Sequence, residues 1–108
     1  MKRGDIIKAV SAREYGKPRP SLVVQADAFD ELAGVVICPL TSDLADPSEI
    51  RVRVAPDRQN GLLRTSDIMV DKVSTISKSR CREKIGAVDQ PTLDVVSANL
   101  ALLLGLTN

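Results

Sequence analysis

The chain has 108 residues, of which 44% are hydrophobic and 27% are charged, as is typical of a single globular domain spanning residues 1–108. No apolar run approaches the length that crosses a bilayer and no signal-peptide pattern is present, so we expect a cytoplasmic protein. The chain contains no histidine and two widely spaced cysteines, Cys38 and Cys81, so structural zinc and haem sites lack a ligand set.

Charge is distributed unevenly, although 15 basic and 14 acidic side chains leave the chain nearly neutral. Residues 1–20 carry six basic and two acidic side chains, and residues 51–84 carry nine and four. By contrast, residues 21–50 carry six acidic and no basic side chains, and residues 85–108 carry two acidic ones. If the fold brings the two basic segments together, they form a face that can bind phosphate groups.

Short β-strands are predicted for most of the chain, because apolar residues alternate or form short runs. The first two strands are predicted at residues 5–10 and 20–26. The polar segment between them, residues 11–19, contains glycine and proline and therefore predicts a loop. Residues 35–40 predict a buried third strand, which a polar stretch at residues 41–48 follows.

A fourth strand is predicted over residues 49–55, where apolar and charged side chains alternate strictly. A period of two places the apolar set in the core and the charged set in solvent. Ile50, Val52 and Val54 are predicted to face inward, and Glu49, Arg51 and Arg53 to face outward.

The following segment continues the pattern of short strands. After a turn signalled by Asn60-Gly61, residues 66–73 predict a further strand, and Ile76 and Ile85 lie in two shorter ones. Several short strands separated by turn signals are typical of a small barrel. We therefore expect a mainly β-fold up to the last segment of the chain.

The last segment predicts one helix over about residues 90–104. Asp89 or Gln90 is the predicted N-cap, and Gly105 stands where a left-handed stop is expected. The apolar end, residues 100–106, either packs against the barrel or contacts a second subunit. One face of the helix carries Leu93, Val96, Leu100, Leu103 and Leu104.

The composition also limits the chemistry of a functional site. One tyrosine, one phenylalanine and no tryptophan exclude the aromatic platform on which many single-strand binders stack bases. The six glycines are scattered, so no phosphate-binding glycine loop is present. Without histidine, acid–base catalysis depends on other side chains. Recognition of a nucleic acid would therefore depend on charge and hydrogen bonds.

Five short motifs follow one another in order along almost the whole chain. This ordered set resembles the MazF/PemK (Kid) family, the toxin halves of bacterial toxin–antitoxin modules. The motifs are Arg3-Gly4-Asp5-Ile6-Ile7, Gly-x-x-Arg-Pro before Leu-Val-Val-Gln, Val-Ile-Cys-Pro-Leu-Thr-Ser, Gly61-Leu62 with Ser66 and Asp71, and a closing Leu-Gly-Leu.

The resemblance implies a mainly β, SH3-like small barrel of the CcdB/MazF type with a C-terminal α-helix. It also implies a homodimeric, sequence-specific endoribonuclease, an mRNA interferase, that needs no metal or cofactor. In such an enzyme the 2′-hydroxyl of single-stranded RNA attacks the phosphate, leaving a 2′,3′-cyclic phosphate and a 5′-hydroxyl. This chemistry suits a chain without histidine, because the nucleophile belongs to the RNA. The implied inhibitor is a cognate antitoxin with an acidic, partly disordered tail.

The resemblance carries three catalytic residues over to this chain. Arg19 matches the family's arginine before proline, whose planar guanidinium can hold two phosphate oxygens. Thr41 matches the threonine of Pro-Leu-Thr, whose hydroxyl can hydrogen-bond the scissile phosphate. Asp71 matches an aspartate that can accept the 2′-hydroxyl proton if its pKa is raised. A structural pairing of Asp71 with Lys72 or with an arginine is the alternative.

RNA-binding positions are expected around these three residues. The first loop borders the RNA groove in the family, and other positions neighbour the catalytic residues or belong to a basic run. The predicted RNA-binding residues are Glu14, Tyr15, Lys17, Ser42, Lys72 and Arg80.

Two other functions remain open on the sequence. CcdB-like toxins share the fold but bind DNA gyrase and have no nuclease activity. The tryptophan that they place near the C-terminus is missing from residues 104–108 of this chain. The other alternative is an inactive family member that acts as a regulator, because Met69 occupies a position where some relatives carry arginine.

Overall fold

The computed structural model describes residues 1–10, 17–46 and 48–107. Within these ranges the chain forms seven β-strands, three short 3-10 turns and one α-helix. The strands are β1 (Asp5–Ala9), β2 (Arg19–Val23), β3 (Gly34–Thr41), β4 (Val52–Val54), β5 (Ser66–Ile68), β6 (Ser74–Ser77) and β7 (Cys81–Ala87), and the helix is α1 (Gln90–Leu103). The 3-10 turns are Asp27–Phe29, Val70–Lys72 and Lys78–Arg80.

The strands join into one curled sheet in the order β4-β5-β3-β2-β1-β7, and each of these pairings is antiparallel. The longest strand, β3, pairs with β2 along one edge. Its other edge pairs with β6 over residues 34–37 and with β5 over residues 40–41. The predicted mainly β-fold with a C-terminal helix is confirmed, as a half-barrel.

Buried apolar side chains lie on both faces of the sheet, because successive residues of a strand point to opposite sides. Ile6 and Leu22 belong to a cluster that packs against α1. Their neighbours Ile7 and Val23 belong to a second cluster, together with Ile37. The first cluster also contains Cys38, Leu40, Ile68, Val70, Leu93 and Val96. Burial there raises the pKa of the Cys38 thiol to about 12.

The helix begins and ends within a residue or so of the predicted positions. The carboxylate of Asp89 caps the N-terminus by accepting a hydrogen bond from the Thr92 N–H at 2.9 Å. After the last turn, Gly105 adopts a φ of +73°, the left-handed conformation that glycine takes without strain. Both helix ends could be predicted from the sequence because capping depends on local residues alone.

The apolar face of α1 is buried only in its first half. Leu93 and Val96 are buried and Leu100 packs partly against the first cluster, but Leu103 and Leu104 are exposed. Of the two alternatives for the apolar end, packing against the barrel is therefore not observed beyond Leu100, because α1 extends beyond the edge of the core. None of the described residues forms a helix long and apolar enough to cross a membrane.

The strand predicted over residues 66–73 is shorter than expected. It ends at Ile68, and the 3-10 turn Val70–Lys72 follows. The amide of Val73 donates to the carbonyl of Val70 at 3.2 Å and closes this turn. The turn was not predicted from the sequence, because no glycine or proline marks it and the alternation of apolar residues does not show where it begins.

The strand predicted over residues 49–55 is reduced to β4, and one of its side chains lies on an unexpected side. Ile50, Val52 and Val54 pack partly buried against the first cluster, as predicted. The prediction that Arg51 faces solvent is wrong, because its side chain is only 8% exposed. Two carboxylates from elsewhere in the chain pair with its guanidinium.

Candidate nucleic-acid interface

A basic cavity of about 930 Å³ opens between β2, the end of β3, β6 and the segment after β5. Arg19, Lys72 and Arg80 line it together with hydroxyl groups and apolar side chains. None of its lining residues, within the described part of the chain, is acidic. Arg19 belongs to the first basic segment and the other two cations to the second, so the fold brings parts of the two segments together. Such a surface favours an anionic ligand.

Arg19 is the first residue of β2, and its backbone pairs with Ala9 of β1. Its side chain is exposed and lines the basic cavity. Pro18 and Pro20 have fixed φ angles, which limits the backbone freedom on both sides of Arg19. A guanidinium presented from this frame can donate two parallel hydrogen bonds to phosphate oxygens.

Thr41 is the last residue of β3 and pairs with Asp67 of β5. Its Oγ1 accepts a hydrogen bond from the Asp43 N–H at 3.1 Å, the local capping role that hydroxyls often have at turns. A hydroxyl can accept and donate at the same time. Thr41 can therefore cap the strand end and also donate to a ligand in the basic cavity, which it lines.

The strand β6 and the turns before and after it form another side of the basic cavity. Lys72 ends the 3-10 turn before β6, and Arg80 ends the turn after it. Between these cations, Ser74, Thr75 and Ser77 line the cavity. Hydroxyls donate and accept hydrogen bonds, so this strand is suited to phosphate and ribose oxygens and to base edges.

Asp71 is not among the residues that line the basic cavity, although its neighbour Lys72 is. The Asp71 carboxylate accepts two hydrogen bonds from Arg51, at 3.0 Å from Nε and 3.1 Å from Nη2. Hydrogen bonding from this guanidinium lowers the pKa of Asp71. A carboxylate with a lowered pKa is a weak proton acceptor. The structure thus gives Asp71 the arginine pairing that the sequence left as the alternative.

The remaining predicted positions lie outside this set. Lys17 and Ser42 are exposed and are not among the residues that line the basic cavity. Glu14 and Tyr15 lie outside the described residues. Of the predicted site residues, those that the structure brings together in the basic cavity are Arg19, Thr41, Lys72 and Arg80.

Several residues that line or adjoin the basic cavity were not predicted as site residues from the sequence. Ser21 lies two residues after Arg19 in β2, so a strict period of two could have placed it on the same side. The polar residues around Ile76 were a similar signal for the hydroxyls of β6. No such signal existed for Arg51, because its partner Asp71 is 20 residues away in the sequence.

Comparison with known proteins identifies relatives over the whole chain. The model of the family described as PemK-like, MazF-like toxins of type II toxin–antitoxin systems matches residues 2–104. A probable endoribonuclease MazF from Mycolicibacterium smegmatis is 38% identical over 107 residues, which cover 98% of this chain and 96% of that protein. Endoribonuclease EndoA from Bacillus subtilis is 29% identical over 111 residues, with coverage of 98% and 96%.

Solved structures share the fold as well. An endoribonuclease in complex with its cognate antitoxin, from a mycobacterial species, superimposes with a TM-score of 0.82 at 22% identity. The superposition covers 100% of this chain and 98% of that one. The half-barrel with its C-terminal helix is therefore an architecture with solved representatives.

Proposed function

Because the chain belongs to the family of PemK-like, MazF-like toxins of type II toxin–antitoxin systems, we propose that it is an endoribonuclease that cleaves single-stranded RNA at a short recognition sequence. The observation that carries the proposal is the basic cavity, where three cations and several hydroxyls meet without a carboxylate among the described lining residues. The family match and the 38% identical relative support this function over gyrase binding.

The proposed reaction needs no nucleophile from the protein. The 2′-hydroxyl oxygen of the RNA attacks the adjacent phosphorus, and the bond from phosphorus to the 5′-oxygen breaks. The 2′-hydroxyl loses its proton and the leaving 5′-oxygen gains one, so the products are a 2′,3′-cyclic phosphate and a 5′-hydroxyl. Negative charge develops on the phosphoryl oxygens during the attack, and preorganised donors lower the barrier by stabilising it.

We assign the donor roles to two residues that the basic cavity brings together. Arg19 holds the phosphoryl oxygens through its guanidinium, and Thr41 donates its hydroxyl hydrogen to the same group. Lys72 and Arg80 attract the RNA backbone through charge. Lys17 and Ser42, together with Glu14 and Tyr15 of the first loop, remain proposed contacts to flanking nucleotides.

The test is cleavage of a long end-labelled RNA by the purified protein in EDTA, with the cut sites mapped. We expect discrete cuts whose 3′ ends carry cyclic phosphate. Arg19→Ala should slow cleavage by about 100- to 1,000-fold, as is typical when one charge-stabilising donor is removed from an active site.

Arg64→Ala is the matched control, because Arg64 is exposed and does not line the basic cavity. It should cut at the wild-type rate. Intact RNA in the presence of folded wild-type protein would overturn the nuclease proposal. In that case a supercoiling assay with DNA gyrase would test the alternative toxin mechanism.

We further propose that a cognate antitoxin inhibits the protein by covering the basic cavity. An acidic, partly disordered tail would be attracted by the positive charge that Arg19, Lys72 and Arg80 give the basic cavity. The solved mycobacterial complex, in which an endoribonuclease of the same fold is bound to its antitoxin, supports this partner. We place the activity in the cytoplasm, where the protein would encounter both its RNA substrate and this inhibitor.

We also propose that the protein acts as a homodimer. Four leucines at the C-terminal end of α1 and just after it remain exposed on the isolated chain, and no charged residue interrupts them. Several large apolar side chains exposed close together in the sequence are typical of a protein–protein contact. The four leucines, named here the leucine end, are Leu102, Leu103, Leu104 and Leu106.

A further inference from the structure

Arg51 is the least expected feature of the region around the basic cavity. Its side chain is 8% exposed, although it lies next to the short strand β4 and carries a full charge. The guanidinium makes two hydrogen bonds to Asp71 and an ion pair to Asp46, 3.3 Å from Nη2 to Oδ2. An arginine that is largely shielded from solvent and makes two hydrogen bonds and an ion pair holds its partners more firmly than a surface ion pair does.

One partner of Arg51 belongs to the segment that leaves Thr41. The Thr41 hydroxyl accepts the Asp43 N–H, and the Asp43 carboxylate in turn accepts the Ala45 N–H at 3.1 Å. Asp46 is the next residue, and its carboxylate contacts Arg51. This short chain of hydrogen bonds links the end of β3 to the guanidinium.

The other partner belongs to the turn that presents Lys72. Asp71 lies in the 3-10 turn Val70–Lys72, whose amide at Lys72 donates to the Met69 carbonyl at 3.0 Å. The Met69 amide donates to the Pro39 carbonyl of β3 at 2.8 Å, so the turn is already tied to the sheet at its start. Arg51 ties it a second time, through Asp71.

We propose that Arg51 is a positioning residue of the RNA-cleaving site: it holds the segment that carries Thr41 and the turn that carries Lys72 at a fixed separation, with Asp71 as its anchor. This inference rests on the proposed function. A planar guanidinium suits the task, because its rigid fork engages two carboxylates in defined directions. Small displacements of groups that contact the reacting phosphate lower the rate of cleavage. A residue that only holds these groups in place can therefore change the rate, and we call Arg51 with its two carboxylate partners the clamp.

Two variants of Arg51 test the clamp. Arg51→Ala should lower kcat by about 10- to 100-fold at a temperature where the variant is fully folded, since misplacement by about 1 Å can cost that much. Arg51→Lys should restore part of the activity, because an ammonium keeps the charge but not the fork. KM should change less than kcat in both variants.

Arg53→Ala is the matched control. Arg53 lies in β4 and makes a similar paired contact, with Nε 3.0 Å and Nη2 3.3 Å from the carboxylate of Asp67. Its partner lies within β5, which the sheet already holds through β3 and β4. This variant should lose stability and keep the wild-type kcat.

A double-mutant cycle separates positioning from a general loss of stability. If Arg51 acts through Thr41, then the kcat losses of Arg51→Ala and Thr41→Ala combine to less than their product. Additive losses, or an unchanged kcat in Arg51→Ala, would overturn the inference.

Amide resonances give a readout that does not depend on catalysis. In Arg51→Ala the amides of Asp43 and Lys72 should both shift and exchange faster with solvent, whereas Arg53→Ala should leave them unchanged. Protection retained at both amides would overturn the clamp even if RNA is cleaved. If the wild-type protein fails to cleave RNA, both the proposed function and the expected effect of Arg51 on kcat are wrong. The exchange rates of the two amides would still show whether Arg51 couples the two segments.

Discussion

The pKa of Asp71 is lowered mainly by its contact with Arg51. The Arg51 guanidinium hydrogen-bonds both carboxylate oxygens and lowers the pKa of Asp71, so the carboxylate is ionised over the whole neutral range. A proton acceptor for the 2′-hydroxyl would need the opposite shift. At the scale of the residue, therefore, the contact with Arg51 favours the structural pairing of Asp71 over its predicted role as proton acceptor.

The lowered pKa predicts how stability depends on pH. Because the pKa of Asp71 is lower in the folded than in the unfolded chain, its contribution is present above the unfolded value of about 4 and is lost as pH falls through the folded value. Asp71→Asn should lower the free energy of unfolding at neutral pH, and its deficit relative to the wild type should shrink in acid. Urea titrations at several pH values measure this, and a deficit that stays constant in acid would contradict it.

At the scale of the element, the hairpin of β4 and β5 depends on an ordered loop rather than on a tight turn. Asn60 is 1% exposed, and its side-chain oxygen accepts the amides of Asp57 and Leu62 at 3.1 and 2.9 Å. Its side-chain nitrogen donates to the Ala55 carbonyl at 2.9 Å. Gly61 follows with a φ of +67°, directly against the backbone of β7. The Asn60-Gly61 signal thus marks a packed corner of the fold.

Two glycines with left-handed backbone allow a matched test of this corner. A Cβ on Gly61 would lie 2.0 Å from the Ile85 carbonyl oxygen, whereas a Cβ on Gly105 would meet nothing within 4 Å. Gly105→Ala should cost only the left-handed backbone strain, about 1 to 2 kcal/mol. Gly61→Ala should cost clearly more in the free energy of unfolding, because backbone must move to relieve the clash. Equal losses in thermal or urea unfolding would show that the corner is not tightly packed.

The whole molecule leaves an apolar surface uncovered where its helix extends beyond the core. Leu104 and Leu106 are 60% and 73% exposed, although no charged residue lies near them in the sequence. Burying apolar surface of this kind against a second copy removes it from water and favours association. This is the feature on which the proposed homodimer depends.

Charged substitutions test the dimer directly. Leu104→Glu combined with Leu106→Glu should halve the mass measured by sedimentation, because two carboxylates would have to be buried at the contact. Leu32→Glu is the control, since Leu32 is similarly exposed at 55% but lies outside the leucine end. A wild-type protein that sediments as a monomer, or a doubly substituted one that stays dimeric, would contradict the proposal.

The features that could be predicted from the sequence are those that depend on local patterns. Alternation located most strands and their core residues, and capping located the helix ends at Asp89 and Gly105. The ordered motifs identified the family and pointed to Arg19, Thr41 and Asp71, and the charge pattern identified the two basic segments but not whether they meet. Each of these signals is carried by residues within a few positions of one another, or by motifs whose order along the chain is itself the signal.

Only the tertiary structure decided which charges meet. By period alone Arg51 belongs with Arg53 on the solvent side, yet the carboxylates of Asp46 and Asp71 pair with it and its side chain is only 8% exposed. Asp71 matches a proton acceptor by motif but is paired with Arg51 in the structure, and the exposed end of α1 depends on where the core stops. These outcomes follow from the approach of segments far apart in the chain. Sequence by itself determined the family, the elements and the residue types of the site, whereas long-range packing decided their electrostatic roles.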